Sequence, residues 1–451
     1  MGKLFGTDGI RGVANRPPMT PEMALAVGRA IASYFKNNES DTIVIGQDTR
    51  ISGDMLKCAL AAGFNASGVD ACLVGVMPTP GVAKITERLG ACAGVVISAS
   101  HNPYEDNGIK IFDGKGWKLS ESVEESVEKL VFDQLNLDAY STFSRSVGQC
   151  KVIADAGRCY ADFLISTVSG MSLQGVRLVL DCSHGATFQV APDIFSRLGA
   201  DVSVLSDKPD GVNINLNCGS QHPEILKQIV LENKAHAGFA FDGDGDRVIA
   251  VDETGTVLTG DQAMTICALN LKQNGRLVNN RVIGTVMSNM GLKIALNKHD
   301  IQLFLSQVGD RHVMEMMKAE GAVLGGEDSG HTIFLDRHTT GDGILTALQI
   351  LEAMQTASKP LSALAATMTV YPQVLINIPV CDQPDIGMIP EIQNVVRQVE
   401  TGLGNEGRVL IRYSGTQPLC RIMVEGPSHD DARSGAEKIA EAVHQTIGQI
   451  A

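Results

Sequence analysis

The sequence predicts an α/β protein in four parts: three similar α/β domains around a central cleft, followed by a small α+β domain. Three observations predict it. Apolar runs of strand length alternate with helix-period segments through most of the 451 residues, the rhythm of layered α/β folds. The chain is too long for one hydrophobic core, so three or four domains are expected. Beyond Pro360, Pro372 and Pro379 the pattern changes to strands alternating around a hydroxyl-rich turn, which reads as an antiparallel sheet. The expected domains are 1–150, 151–254, 255–365 and 366–451.

The first domain opens with Phe5-Gly6-Thr7-Asp8-Gly9-Ile10-Arg11-Gly12, a glycine-broken loop with one cation. Thr20 caps a helix that has Pro21 in its first position. A strand over 42–46 ends in the polar turn Asp48-Thr49-Arg50, and a helix starts near Asp54. Ala71–Gly75 is a third strand, leading into the most conspicuous stretch of the chain. There Val95-Val96-Ile97, a buried strand, runs into Ser98-Ala99-Ser100-His101-Asn102-Pro103. A rigid strand that delivers a hydroxyl to a loop tip is a way of presenting a serine for chemistry. On this stretch alone, the plain alternative stands equally: Ser98, Ser100 and Asn102 satisfy turn backbone. A second apolar run, Gly108–Phe112, brings Lys110 back toward Ser100, and Glu121–Gln134 reads as a charged helix with a solvated face.

In the second domain a strand over 176–180 ends at Asp181-Cys182-Ser183-His184-Gly185, a second strand covers 200–205 and a helix 223–233. Ala237–Phe241 is a buried strand entering Asp242-Gly243-Asp244-Gly245-Asp246-Arg247. In the third, helices start near Gln262, Met290 and Arg311, and strands cover 282–286 and 322–324. The latter runs into Gly326-Glu327-Asp328-Ser329-Gly330-His331. In the last, strands over 374–380, 408–412 and 419–424 surround Ser414-Gly415-Thr416-Gln417-Pro418, and a helix closes the chain from Asp430. Each domain thus carries one strand-to-loop element, and ligands favour junctions where such loops converge.

Asp242, Asp244 and Asp246 place three carboxylates in one short segment, and a hard divalent cation relieves their repulsion. A calcium loop competes for this reading, because Glu253 is twelfth counting from Asp242. Arg247 takes the sixth place, however, where that loop requires glycine, and strands flank the segment, so magnesium is preferred. Arg412, Ser414, Gly415, Thr416 and Arg421 form a cationic, hydroxyl-rich turn of the kind a phosphate dianion selects. Glu327, Ser329 and His331 offer groups suited to sugar hydroxyls. His101 adjoins Ser100 directly, an awkward geometry for a hydrolase base.

The bulk numbers narrow the function. A net charge of −14 with 4% aromatic residues and one tryptophan argues against nucleic acid or an anionic membrane as partner. An anionic substrate then requires a local cationic pocket against the protein's own field. Ten scattered cysteines without a C-x-x-C pair read as reduced thiols in a cytoplasmic protein. No signal peptide or membrane-spanning run is expected, and symmetry statistics favour a homodimer.

Together the four loops, in this order and over essentially the whole chain, resemble the α-D-phosphohexomutase superfamily. The opening Gly6–Gly12 loop, Ser98–Pro103, Asp242–Arg247, Gly326–His331 and Thr340-Gly341-Asp342-Gly343 are most similar to its phosphoglucosamine mutase branch. The resemblance implies that Ser100 carries a phosphoryl group and that Asp242, Asp244 and Asp246 hold Mg²⁺ with the Ser100 phosphate oxygen. It implies that Glu327 and Ser329 read sugar hydroxyls, and that Arg412, Ser414, Gly415, Thr416 and Arg421 grip the non-reacting phosphate. Arg11, Lys110, His101, Arg247 and His331 fall among its catalytic-site cations, acid/base groups and substrate contacts. The implied reaction interconverts glucosamine 6-phosphate and glucosamine 1-phosphate through a phosphoserine and a 1,6-bisphosphate. It feeds UDP-N-acetylglucosamine synthesis, with glucosamine or glucose 1,6-bisphosphate as primer. Phosphomannomutase or phosphoglucomutase activity shares these loops; a phosphoserine hydrolase and a non-catalytic sugar-phosphate sensor are the remaining alternatives. Gln417, where the family usually has glutamate, and Tyr413 depart from its pattern.

Overall fold

The computed structural model describes residues 4–6, 8–36, 41–135, 146–414 and 418–448; Thr7, Gly415, Thr416 and Gln417 of the sequence motifs lie outside them. Two units result, one of Met1–Met287 with Ile301–Thr367 and one of Ser288–Asp300 with Met368–Ala451.

The larger unit holds three sheets. The first is built from β1 (Ile10–Val13), α1 (Pro21–Phe35), β2 (Thr42–Gln47), α2 (Gly53–Ala66), β3 (Asp70–Val76), α3 (Thr79–Leu89), β4 (Ala93–Ile97), β5 (Asp106–Asp113), α4 (Glu121–Leu135) and β6 (Cys150–Val152). Its order is β1-β5-β4-β2-β3-β6. The strands β2, β3, β4 and β6 run parallel, but β5 is antiparallel to both β4 and β1. The layer is therefore mixed rather than parallel. The 98–105 connection is shorter than the dozen or so residues a crossover needs, so β5 must return as a hairpin. Thr20 Oγ1 accepts the Met23 N–H, giving α1 the cap its sequence announces.

Two local readings are corrected. Helix α3 stands between β3 and the Ser100 loop and buries Val82, Ala83 and Ile85. Helix α4 is not wholly solvated, because Val127 and Val131, one turn apart, are fully buried in the first core.

The second sheet comprises α5 (Ala156–Ser166), β7 (Arg177–Asp181), α6 (Val190–Arg197), β8 (Asp201–Leu205), α7 (Glu224–Glu232), β9 (Ala237–Phe241) and β10 (Val248–Asp252), in strand order β10-β9-β7-β8. The third follows with α8 (Gly260–Gln273), β11 (Arg281–Thr285), α9 (Met290–Asn297), β12 (Gln302–Ser306), α10 (Asp310–Glu320), β13 (Leu324–Gly326), β14 (Thr332–Phe334), α11 (Gly343–Ala357) and α12 (Leu361–Ala365), in order β12-β11-β13-β14. All three share one core, three parallel strands of which the last folds back as an antiparallel hairpin (β4–β5, β9–β10 and β13–β14), and the first sheet adds β6 and β1 at its edges. The Ser100, Asp242 and Glu327 loops are those three hairpin connections.

The smaller unit has β15 (Gln373–Pro379), α13 (Pro390–Leu403), β16 (Arg408–Tyr413), β17 (Leu419–Glu425) and α14 (His429–Ile447). Its sheet is antiparallel, in order β15-β17-β16, as the sequence predicts. Helix α9 belongs to this unit: the fully buried Glu425 accepts the Arg408 Nε at 2.6 Å and the Met290 N–H at 3.1 Å. Among the described residues no helix is long and apolar enough to cross a membrane.

Candidate active site

Ser100 sits in the β4–β5 connection with φ of +54°, a left-handed conformation that a serine keeps only when its surroundings fix it. The Arg50 guanidinium supplies the fixing. Buried at 2% exposure, it pairs with Asp48 Oδ2 at 2.8 Å and donates to the carbonyls of Ser100 (2.9 Å), Asn102 (2.8 Å), Asp106 (3.0 Å) and Pro103. Asp48 also takes the Ser98 hydroxyl at 2.5 Å, and Ser98 Oγ accepts the Ser100 N–H. Asn215, from the second layer, donates to the Ser100 and Asn102 carbonyls. The loop is thus held by its carbonyls, leaving the Ser100 hydroxyl free to point elsewhere.

It points at the aspartates. Ser100 Oγ donates to Asp242 Oδ2 at 2.6 Å. Such closeness needs Gly243, since a Cβ there would lie 2.5 Å from the Ser100 carbonyl oxygen. Asp242, Asp244 and Asp246 are all buried, and one carboxylate oxygen from each lies within 4.8 Å of the others. Burial and the other two carboxylates push Asp242 well above the usual carboxylate range. Oδ1 of Asp244 and Oδ1 of Asp246 are buried and accept no hydrogen bond. An all-oxygen, acidic, incompletely satisfied set fits a hard divalent cation.

Cations surround this trio. Lys110, brought beside β4 by the Val96–Lys110 pairing, lies 2.8 Å from Asp244, 2.9 Å from Asp8 and 3.5 Å from Asp246. Burial opposes its charge, but those three carboxylates raise its pKa well above the ordinary lysine value. His331 is buried with Nδ1 3.7 Å from Asp246 and Nε2 3.9 Å from Asp310, and its pKa is raised by these acids against desolvation. His101 Nδ1 lies 3.3 Å from Ser100 Oγ and 3.4 Å from Arg247 Nη1; burial and the cations Arg247 and Arg11 lower its pKa to about 4. Glu327 Oε1 accepts the Gly309 N–H at 2.9 Å. A cavity of about 540 Å³ is lined by Asp8, Arg11, His101, Arg247, Glu327 and His331 among others. Ser329 lies exposed on the same hairpin as Glu327.

Four family models match in order: phosphoglucomutase/phosphomannomutase α/β/α domain I over residues 2–137, domain II over 158–255, domain III over 259–371 and the C-terminal domain over 375–442. Curated relatives named phosphoglucosamine mutase, from Syntrophus aciditrophicus (strain SB) and Geobacter sp. (strain M21), are 53% and 52% identical over 450 residues. Each alignment covers 99% of this chain, and 100% and 99% of the respective relatives. The chain belongs to the α-D-phosphohexomutase superfamily. Solved structures agree on the superfamily fold. A phosphoglucomutase/phosphomannomutase family protein from Burkholderia thailandensis superposes with a TM-score of 0.81 at 24% identity, covering 99% of both chains. Aspergillus fumigatus N-acetylphosphoglucosamine mutase, in complex with GlcNAc-6P and magnesium, superposes with a TM-score of 0.67 at 16% identity, covering 98% of this chain and 95% of that one.

Of the residues the superfamily resemblance singles out, those in the larger unit gather in one place: Ser100, His101, Lys110, Arg11, Arg247, the three aspartates, Glu327 and His331 line the cavity or stand directly behind it. Ser329, also in the larger unit, is exposed and does not line the cavity; the others belong to the smaller unit. There Arg412 and Arg421 are paired across β16 and β17, and Arg421 Nη2 donates to Ser414 Oγ at 3.2 Å. Burial and Arg421 lower the Arg412 pKa. Gly415 and Thr416 lie outside the described residues. Tyr413, the family departure, spends its hydroxyl on the Pro384 carbonyl at 2.7 Å, a packing role. Sequence reasoning missed Asp48 and Arg50, which it took as a turn, and Lys118 and Asp310. The signal for Arg50 was available: opposite charges, two residues apart, just after a strand whose centre, Ile43–Gly46, is apolar and buried.

Proposed function

We propose that the chain is a phosphoglucosamine mutase, interconverting glucosamine 6-phosphate and glucosamine 1-phosphate through a phosphoserine at residue 100. One observation carries the reading: the Ser100 hydroxyl, on a loop caged by Arg50, donates at 2.6 Å to a buried carboxylate trio. Half identity over the full length to curated phosphoglucosamine mutases supports the amino-sugar substrate. The Aspergillus fumigatus enzymes solved with GlcNAc-6P and with glucose 1,6-bisphosphate support a hexose phosphate and a bisphosphate primer.

In this reading the bond between phosphorus and Ser100 Oγ breaks as one from phosphorus to a sugar hydroxyl oxygen forms. The hydroxyl proton passes to the site's acid/base group, which returns one to Ser100 Oγ, and the sugar becomes a 1,6-bisphosphate. After reorientation its other phosphoryl returns to Ser100 Oγ. Mg²⁺, held by Asp242, Asp244, Asp246 and the Ser100 phosphate, would neutralise charge on the transferring group. Lys110, beside Asp8, Asp244 and Asp246, and His331, between Asp246 and Asp310, are the groups for proton transfer. Arg11 and Arg247 face the cavity to contact phosphate oxygens, with His101 beside the nucleophile. Glu327 and Ser329 read the sugar hydroxyls. Arg412, Ser414, Gly415, Thr416 and Arg421 hold the phosphate that stays. The free thiols support a reducing, cytoplasmic setting, and a homodimer is the assembly this reading carries.

The test supplies glucosamine, glucose or mannose 6-phosphate with Mg²⁺ and catalytic glucose 1,6-bisphosphate, and follows the 1-phosphate by phosphorus NMR. The amino sugar is expected to react fastest. Ser100→Ala is expected to lose turnover and the single phosphate seen on the intact protein by mass spectrometry. Steady release of inorganic phosphate instead of the isomer, or a Ser100→Ala protein that still turns over, overturns the reading.

A further inference from the structure

Lys118 has no part in the reaction outlined above, yet it closes a ring. Lys110 Nζ lies 2.9 Å from Asp8 Oδ2, and Asp8 Oδ1 lies 2.6 Å from Lys118 Nζ. Lys118 also bonds Asp310 Oδ2, the oxygen 3.9 Å from His331 Nε2. His331 Nδ1 is 3.7 Å from Asp246 Oδ2, which returns to Lys110 at 3.5 Å. Cation and carboxylate alternate all the way round.

Five members of the ring face the chemistry directly. Asp8, Asp246, Asp310 and His331 line the cavity, and Lys110 touches Asp244. Lys118 alone stands behind, lining with Trp117 and Ile333 a separate small cavity of about 180 Å³. Its backbone is tied to the first sheet by a bridge to Phe112, while Asp310 opens α10 of the third. Lys118 is therefore where the acid of one layer is joined to the acid of the other.

We propose that Lys118 is a positioning residue. By holding Asp8 and Asp310 on one ammonium, it sets the cations of the first layer and the imidazole of the third at fixed places around the cavity. The leverage is visible in Asp8. Its Oδ2 carries both Arg11, at 2.5 Å, and Lys110, at 2.9 Å, so any swing of this carboxylate moves two cations at once. Without the ammonium, Asp8 and Asp310 become facing like charges in a half-buried place, and they separate. Loss of Lys118 would leave Asp8 with two of the three cations that keep it ionised against burial.

The inference rests on the mutase reading, and its test keeps the two apart. All variants are assayed on whichever hexose 6-phosphate the wild type prefers, so a wrong sugar assignment shows in the wild type and leaves the comparison intact. Lys118→Met is expected to lower kcat about 100-fold, the scale of a misplacement near 1 Å, with KM changed less than about threefold. Lys118→Arg, which keeps the charge, is expected to stay within about tenfold of wild-type kcat. The double variant Lys118→Met/Asp310→Asn removes the unpaired acid, so it is expected to regain the melting temperature that Lys118→Met loses while kcat stays low. A kcat within threefold of wild type for Lys118→Met overturns the proposal. So does a double variant whose kcat recovers with its melting temperature, because that makes the role purely structural.

Discussion

The sharpest quantitative expectation concerns Arg50→Lys. The guanidinium makes five side-chain hydrogen bonds, one to Asp48 and four to carbonyls of the Ser100 loop. A lysine ammonium keeps the charge beside Asp48 but has three donors, so at least two bonds are lost. At roughly 1.5 kcal/mol for each bond to a charged donor, the loop loses about 3 kcal/mol of its restraint. If that restraint holds the left-handed Ser100 where its hydroxyl meets Asp242, the cost falls on the reactive geometry. About 3 kcal/mol then corresponds to roughly a 150-fold fall in kcat. KM should move little, because the cage touches no substrate-facing side chain. Steady-state kinetics measure both, and circular dichroism on the same sample shows that the fold persists. Arg50→Met is a different perturbation: it strands Asp48, already pushed up by burial, and is expected to cost about 3–5 kcal/mol of stability. A kcat for Arg50→Lys within threefold of wild type would refute the claim that the cage presents the serine.

Two further outcomes are expected. Chelation of divalent cations should stop turnover and Mg²⁺ restore it, and Mg²⁺ at a hundred times its dissociation constant should stabilise the wild type by about 2.7 kcal/mol; a melting temperature unmoved by Mg²⁺ counts against the aspartate site. His338, lowered to about 3 chiefly by burial and then by Lys84, gives stability that is full above pH 6.5 and is lost as pH falls toward 3, while Asp342, pushed up to about 6 chiefly by burial, gives stability that is full below pH 3.8 and is lost as pH rises through 6. Between pH 4 and 6, His338→Asn should therefore shallow the acid loss by about 1.4 kcal/mol per pH unit, and Asp342→Asn should steepen it by up to that amount. Parallel pH–melting curves for both variants and the wild type would contradict these burial effects.

The parts of the site that were legible in the sequence are those whose chemistry is local. Asp242, Asp244 and Asp246 repel one another whatever the fold, and Ser100 follows a strand too apolar to be anything but buried. What was hidden is what depends on partners far along the chain. Lys118 reads as an ordinary lysine until Asp8 and Asp310, 110 and 192 positions away, are brought to it. Strand direction was hidden for a different reason. The apolar run of β4 is the same whether its neighbour is parallel or antiparallel, so the only sign of the reversal was the short connection between β4 and β5, too short for a crossover. The short strands β12 and β14 and the uniformly apolar helix α11 were passed over because they complete their cores with neighbours, whereas α3 and α13 carry a clear helical period and were readable but missed.

A chain of net charge −14 was expected to need a cationic pocket for an anionic substrate, and the two units meet that need differently. In the larger unit every cation near Ser100 is matched: Arg11 and Lys110 by Asp8, Lys118 by Asp8 and Asp310, Arg247 by Asp246 at 3.8 Å. Matched charges cannot drift toward an incoming phosphate, so their field is fixed before the reaction and needs no reorganisation as charge moves. In the smaller unit Arg412 and Arg421 sit side by side and pair with no carboxylate among the described residues; Arg421 has only the Ser414 hydroxyl, and its Nε is buried without a partner. Adjacent unmatched guanidiniums are held together at a cost that a dianion removes, which favours simple binding. A phosphoryl group in transit and a phosphate at rest call for these two kinds of electrostatics. On the proposed reading, the first kind would serve the phosphoryl group that moves at Ser100 and the second the phosphate that stays.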